Sequence, residues 1–207
     1  EHNEWIPEMI FSNLKAGSNF NDDEERTGSG TNGVGSSLVN IFSKEFTVST
    51  CDGKNHYHQI FFDNMRQRTE PTIEKSRKNH TEITYTPDYE KFKMEGLDET
   101  HFNLIKKRTI DIAACNPGIK ILFNDELVNS KTFADYVSLY TEGAFVETNK
   151  EKNWYIGIAA SNEGFRQVSF VNSTETYDGG THVDYVLNQI ISELRVFFQK
   201  KHKVDIK

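Results

Sequence analysis

The chain has 207 residues, 36% hydrophobic and 27% charged, with a formal net charge of −7. Its 15 Phe, 8 Tyr and 2 Trp need a packed core, which excludes a disordered chain. The acidic balance excludes a protein that coats nucleic acid or anionic lipid with its whole surface, and no apolar run is long enough to cross a membrane.

The opening residues Glu1-His2-Asn3-Glu4-Trp5 have no basic or apolar leader pattern, so no signal peptide is expected. Ile6, Met9, Ile10 and Leu14 fall at helical spacing, with Pro7 suited to the first turn. Ala16 to Gly35 has no periodicity and reads as a long functional loop. A helix follows, with Val34, Leu38, Ile41 and Phe42 on one face. Lys44–Cys51 and Tyr57–Phe62 read as strands joined at Asp52-Gly53. Residues 63 to 80 are polar and basic and read as an excursion, and Glu82–Tyr85 as a strand ending at Pro87.

Asp98 can cap a helix carrying Phe102, Ile105, Thr109, Ile110 and Ile112, stopped by Asn116-Pro117-Gly118. Ile119–Asn124 is a short strand turned by Asn124-Asp125, and Ser130–Tyr140 a short helix. Trp154–Ile158 and Phe165–Phe170 alternate as strands. Thr181 with Asp184 gives a capping-box-like start to a last helix bearing Val183, Val186, Leu187, Ile190, Ile191, Leu194 and Phe197 on one stripe. The fold class is α+β, in two parts with a boundary near residues 124 to 131. Cys51 and Cys115 have no C-x-x-C partner and read as free thiols in a reducing compartment.

Gly28-x-Gly30-x-x-Gly33 fits the dinucleotide fingerprint literally. The polar residues before it, Asn21 to Arg26, are no hydrophobic strand, so that reading is rejected. Gly30-Thr31-Asn32-Gly33-Val34-Gly35-Ser36-Ser37 is a better parse: glycine-rich backbone opening a helix, whose unpaired N–H groups can cradle a phosphate, with two serine hydroxyls as further donors. By spacing alone, a plain glycine-rich linker is an equal alternative. Asp22-Asp23-Glu24-Glu25 reads as a solvated loop rather than a metal site. His56-Tyr57-His58 places two imidazoles on one strand face without an evident third ligand. Gly179-Gly180-Thr181-His182 reads as a turn and N-cap. The run Arg195, Lys200, Lys201, His202, Lys203 and Lys207 is either a helix end complemented by cations or a local nucleic-acid contact.

Ile6-Pro7-Glu8-Met9-Ile10-Phe11, Ser18-Asn19-Phe20, Thr31-Asn32-Gly33-Val34-Gly35, Asn40-Ile41-Phe42-Ser43, Ser169-Phe170-Val171-Asn172-Ser173 and Gly179-Gly180-Thr181-His182-Val183 occur in this order in type IIA DNA topoisomerases. The chain resembles the eukaryotic, large-virus and T4-type phage branch of that family along nearly its whole length. The resemblance implies a partial GHKL (Bergerat-type) ATPase α/β sandwich over 1–128, with an ATP lid at 16–35, followed over 129–207 by the start of a ribosomal-S5-like transducer domain. It places Ser18, Asn19, Gly30, Thr31, Asn32, Gly33, Val34, Gly35, Ser36 and Ser37 at ATP, and Lys200, Lys201 and His202 near DNA. Eukaryotic relatives carry Arg where this chain has Thr31 and Lys where it has Ser37, so two cationic phosphate contacts are missing.

The family's catalytic Glu, Mg²⁺-binding Asn and adenine-binding Asp are expected upstream, and its Gln-Thr-Lys loop downstream. Glu4 and Glu8 do not match the base motif. The expectation is therefore no catalytic residue in this chain and no activity of the chain alone. The full protein would use ATP and Mg²⁺, pass DNA, and work as a homodimer with its remaining domains inside the cell, in cytoplasm or nucleus, with no membrane partner. Other GHKL classes, of the chaperone or mismatch-repair kind, and a non-catalytic structural fragment are the rival readings.

Overall fold

The computed structural model describes all residues except 1–3, 22, 25, 27, 131, 150, 152 and 205–207. The chain forms two compact units, 1–99 and 100–207, each with its own elements.

The first unit begins with α1 (Ile6–Ser12), with Pro7 in its first turn. An irregular stretch leads to α2 (Gly35–Ile41). The sheet follows: β1 (Ser43–Cys51), β2 (Asn55–Phe62), β3 (Gln67–Arg68), β4 (Thr72–Lys75) and β5 (His80–Pro87). β2 lies beside β1, β1 beside β5, and both β3 and β4 pair with the outer edge of β2, all antiparallel. The β1–β2 turn closes because the Asp52 carboxylate accepts from the N–H groups of Lys54 and Asn55 at 2.8 and 2.7 Å, and Gly53 sits at φ +85°. These same two donors hold the exposed Asp52 carboxyl below its ordinary range.

Alternation makes one sheet face the core. Phe46, Val48, Tyr57 and Phe61 are buried, and Phe11 of α1 packs on them with its ring 5.8 Å from that of Phe46. Buried Gln59 donates to Thr69 O at 2.9 Å and accepts from the Tyr57 hydroxyl. Buried Glu8 pairs with Arg68 at 3.0 Å. The opposite face carries Thr47, Ser49, His56, His58, His80 and Glu82.

The second unit opens with α3 (Glu99–Cys115), starting directly after Asp98 and running to the Asn116-Pro117-Gly118 stop. Three short antiparallel pairs follow the chain: β6 (Leu122–Phe123) with β7 (Glu126–Leu127), β8 (Phe145–Asn149) with β9 (Trp154–Ile158), and β10 (Phe170–Val171) with β11 (Thr174–Glu175). Asn124 and Asp125, both at positive φ, turn the first pair. Between β7 and β8 lies α4 (Phe133–Ser138), started by a full capping box in which Thr132 and Asp135 each accept from the other's N–H. Last comes α5 (Thr181–His202).

A buried ionic network ties this unit. Asp111 of α3, 1% exposed, accepts from Lys107 at 2.8 Å and from the Tyr136 hydroxyl of α4 at 2.8 Å. Lys107 also donates to both Glu175 oxygens at 3.0 Å, and Arg108 donates to Ser173 O. Burial, seconded by the hydrogen bonds to Tyr140 and Asp111, pushes the Tyr136 hydroxyl well above its ordinary range. Burial pulls Lys107 down, but its bonds to Asp111 and Glu175 outweigh this and hold its ammonium above the ordinary lysine range.

Four expectations are corrected. Residues 63–80 are not a plain excursion: they supply β3 and β4, short strands with no buried residue and no alternation because they only extend a sheet edge. Phe165–Ser169 lies outside any strand, and only Phe170 and Val171 pair, with β11; alternation cannot make a strand without a partner ladder. Thr181 is the first helical residue rather than the cap: Gly180, at φ +147°, is the N-cap and no side chain caps α5. In α2 the buried positions are the polar Ser37 and Asn40, while Leu38, Val39 and Phe42 are more than one-third exposed.

Candidate nucleotide lid and basic helix end

The candidate lid, the segment 16–35, is tied together near its two ends. Ala16 N–H donates to Gly33 O at 3.2 Å, bringing Gly17 against Gly33. A Cβ at Gly33 would lie 2.5 Å from Gly17 N, and Gly33 sits at φ +58°, so both the approach and the conformation demand glycine there. A second tie holds the loop across: Asn19 Nδ2 donates to Gly30 O at 3.0 Å, and Arg26 donates to Asn19 O at 2.7 Å. Ser18 Oγ donates to Asn19 Oδ1 at 3.4 Å. Ser18 and Asn19 are thus brought beside the Gly30–Gly33 segment.

The loop runs into α2 at Val34, which supplies no side-chain cap. The first-turn N–H groups therefore face outward from an uncapped start. At Gly30 and Gly35 a Cβ would meet nothing within 4 Å, so the space beside the backbone is open there. Thr31 and Asn32 are exposed in the same stretch. The two serine hydroxyls serve another purpose. Ser36 Oγ donates to Ile10 O at 3.0 Å and Ser37 Oγ to Asn13 O at 2.7 Å, while Asn40 donates to Phe11 O at 3.0 Å. All three satisfy carbonyls left open at the end of α1, so Ser36 and Ser37 have only their main-chain N–H groups for a phosphate.

Of the acidic run, Asp22 and Glu25 lie outside the described residues; Asn21 ties Asp23 and Glu24 locally. No group of three or more His, Cys, Asp and Glu that could hold a metal occurs among the described residues. Glu4 accepts from Asn13 at 3.0 Å, and Glu8 is buried and ion-paired with Arg68 at 3.0 Å. Gly17 and Arg26, absent from the sequence-based site, shape the lid. Gly17 carries no motif signal because its role is a crossing with Gly33, which only the closed loop reveals.

At the far end of α5, Lys200, Lys201 and His202 are exposed. Lys201 Nζ lies 5.0 Å above the Phe197 ring, and the His202 ring lies 5.7 Å from that of Phe198. Lys203 ends the helix in the left-handed region, its N–H donating to Gln199 O. Cations here complement the helix dipole whether or not a ligand binds.

Residues 121–207 match the family model described as DNA gyrase B. The chain is 41% identical over 214 aligned positions to DNA topoisomerase 2 of Arabidopsis thaliana, covering 96% of this chain and 14% of that protein. It is 40% identical to the Pisum sativum protein of the same name, covering 98% and 15%. The ATPase region of Saccharomyces cerevisiae topoisomerase II superposes with a TM-score of 0.87 at 35% identity, over 96% of this chain and 55% of that one.

The chain belongs to the type IIA DNA topoisomerase family.

The ATPase and transducer domains of topoisomerase II from Balamuthia mandrillaris superpose equally well, with a TM-score of 0.88 at 35% identity over 96% of this chain and 53% of that one. The chain therefore corresponds to an ATPase–transducer piece of a type II topoisomerase. It spans about one-seventh of the curated relatives it matches, at 14–15% of their lengths. The mixed α/β architecture expected from the sequence is the one these topoisomerase II structures have.

Proposed function

We propose that this chain carries the ATP lid and the start of the transducer of an enzyme that uses ATP to pass one DNA duplex through another. The observation that carries the reading is the lid itself: a glycine crossing at Gly17 and Gly33 that sets Gly30–Ser37 as a rim of backbone leading into the uncapped start of α2. In this reading Gly30, Thr31, Asn32, Gly33, Val34, Gly35, Ser36 and Ser37 wrap the triphosphate through main-chain N–H groups, and Ser18 and Asn19 flank the nucleotide. Mg²⁺ accompanies ATP, with its protein ligand outside these residues. Lys200, Lys201 and His202 contact transported DNA by charge.

The domain assignment is part of the same proposal: 1–128 belongs to the ATPase part and 129–207 to the transducer. α3, on the ATPase side of that boundary, shares its buried network with α4 and β11. The whole enzyme works inside the cell, in cytoplasm or nucleus, as a homodimer closed by ATP together with its remaining domains. The hydrolytic base is expected outside the described residues, so the chain alone is not expected to turn nucleotide over.

The test is calorimetric titration of a non-hydrolysable ATP analogue with Mg²⁺ into the chain and into Gly35→Ala. Saturable binding weakened by Gly35→Ala supports phosphate capture by the rim. Binding indifferent to Gly35→Ala, with the variant folded, overturns it.

A further inference from the structure

One constellation lies outside the lid and the basic helix end, on the polar face of the first unit's sheet. In the register, Cys51 of β1 faces His56 on β2 and His80 on β5, so both imidazoles rise from the same face on either side of β1. Ser49, two residues back on β1, shares that face. Both rings lean toward it: His56 Nε2 is 2.8 Å from Ser49 Oγ and His80 Nε2 is 3.4 Å from the same oxygen. The ring centroids are 5.4 Å apart. His80 Nδ1 lies 2.9 Å from Lys78 O, a carbonyl that can only accept, so Nδ1 carries the proton and the neutral ring presents its Nε2 lone pair toward Ser49. A backbone carbonyl fixing the tautomer from behind is the usual support of a metal-binding imidazole.

From this geometry we propose a two-imidazole site for a borderline divalent cation, Zn²⁺ being the type, held by His56 and His80 at the Ser49 hydroxyl. The spacing fits. Metal–nitrogen bonds of about 2.0–2.1 Å at a tetrahedral angle hold two imidazole centroids about 5 Å apart, close to the 5.4 Å found here, with the Ser49 hydroxyl turning aside or joining as a ligand. The charge fits as well: Glu74 stands opposite His56 on β4 and Glu82 opposite Ser49 on β5, on the same face. Cys51 is not a ligand, since it is buried with its Sγ engaged by Ser76 O and Gly53 N–H. With two neutral imidazoles as the protein ligands, water completes the coordination and the site is open. Imidazole favours Zn²⁺, Ni²⁺ and Cu²⁺ over Mg²⁺, which separates this site from any Mg²⁺ that accompanies nucleotide. Because the ligands sit on β2 and β5 with β1 between, the ion clamps three strands together.

The sequence motif His56-Tyr57-His58 offers a rival pair on one strand, which makes the test specific. Zn²⁺ is titrated calorimetrically into the chelator-treated chain and into His56→Ala, His80→Ala and His58→Ala, with thermal unfolding followed with and without Zn²⁺. The expected result is one Zn²⁺ per chain, a melting temperature raised by Zn²⁺, and affinity at least about tenfold lower in both His56→Ala and His80→Ala. In His58→Ala affinity changes less than about twofold, because its ring is not part of the pair. These side chains lie on the polar face, away from the Phe46–Phe61 core, so the variants fold, which far-ultraviolet circular dichroism checks. No saturable binding overturns the proposal. So does a loss in His58→Ala that equals or exceeds the loss in His80→Ala.

Discussion

Gly33 and Gly35 are three-letter equals in the sequence and opposites in the structure. At Gly33 an added Cβ would strike Gly17 backbone and the φ is left-handed. Gly33→Ala is therefore expected to destabilise by at least about 1 kcal/mol and to open the lid, which faster limited proteolysis between Ala16 and Gly33 would report. At Gly35 the added methyl meets nothing and lies at a helix start, so Gly35→Ala should leave the melting temperature unchanged or slightly raised while weakening nucleotide. Asp111 is the other decisive residue. Asp111→Ala removes the buried acceptor of Lys107 and Tyr136, and is expected to cost about 2–4 kcal/mol; Tyr136→Phe, which keeps the ring, about 1 kcal/mol, both read by denaturant unfolding. The same network fixes a pH dependence. The folded-state pKa values of Lys107 and Tyr136 are both raised, so their contribution is complete below the unfolded values and is lost as pH rises through them. Stability should fall above about pH 10, and the fall should shrink in Tyr136→Phe.

Among the elements, α5 shows how a helix start is decided by backbone rather than by composition. Thr181 and Asp184 have the spacing of a capping box, yet Gly180 is the N-cap and carries the φ that turns the chain into the helix. Thr181→Ala is expected to change stability by under about 0.5 kcal/mol, whereas Thr132→Ala, at the true capping box of α4, costs about 1 kcal/mol, both measurable as melting shifts. β1 and β2 were legible because one face is buried and alternation records it. β3 and β4 were not, because a short edge strand with no buried residue leaves no period in the sequence. The Phe165–Ser169 stretch has the period and lacks the ladder. α2 inverts the usual rule: its inward residues are Ser37 and Asn40, placed there by the open carbonyls of α1.

For the molecule as a whole, net charge and local charge point in different directions. A chain at −7 does not adhere to DNA generally, so any affinity must come from a cluster such as Lys200, Lys201 and His202. Lys200→Ala and Lys201→Ala should each weaken duplex binding without sequence preference and reduce the slope of log affinity against log salt by about one, in titrations at several salt concentrations. A slope unchanged in both variants would return those lysines to the plainer role of complementing the α5 dipole.

The family, the two long strands Lys44–Cys51 and Tyr57–Phe62 and the main helices were determined by the sequence alone, since local periodicity, turn chemistry and motif order are properties of the chain read in line. The tertiary structure alone decided which groups are spent and which are free. It alone gave the Ser36 and Ser37 hydroxyls to the carbonyls of α1, set Gly17 against Gly33, joined Lys107 to Glu175, and replaced the neighbour His58 with the distant His80 as the partner of His56. Each of these joins residues far apart in sequence through a register or a crossing, and no spacing along the chain records which strand will lie beside which.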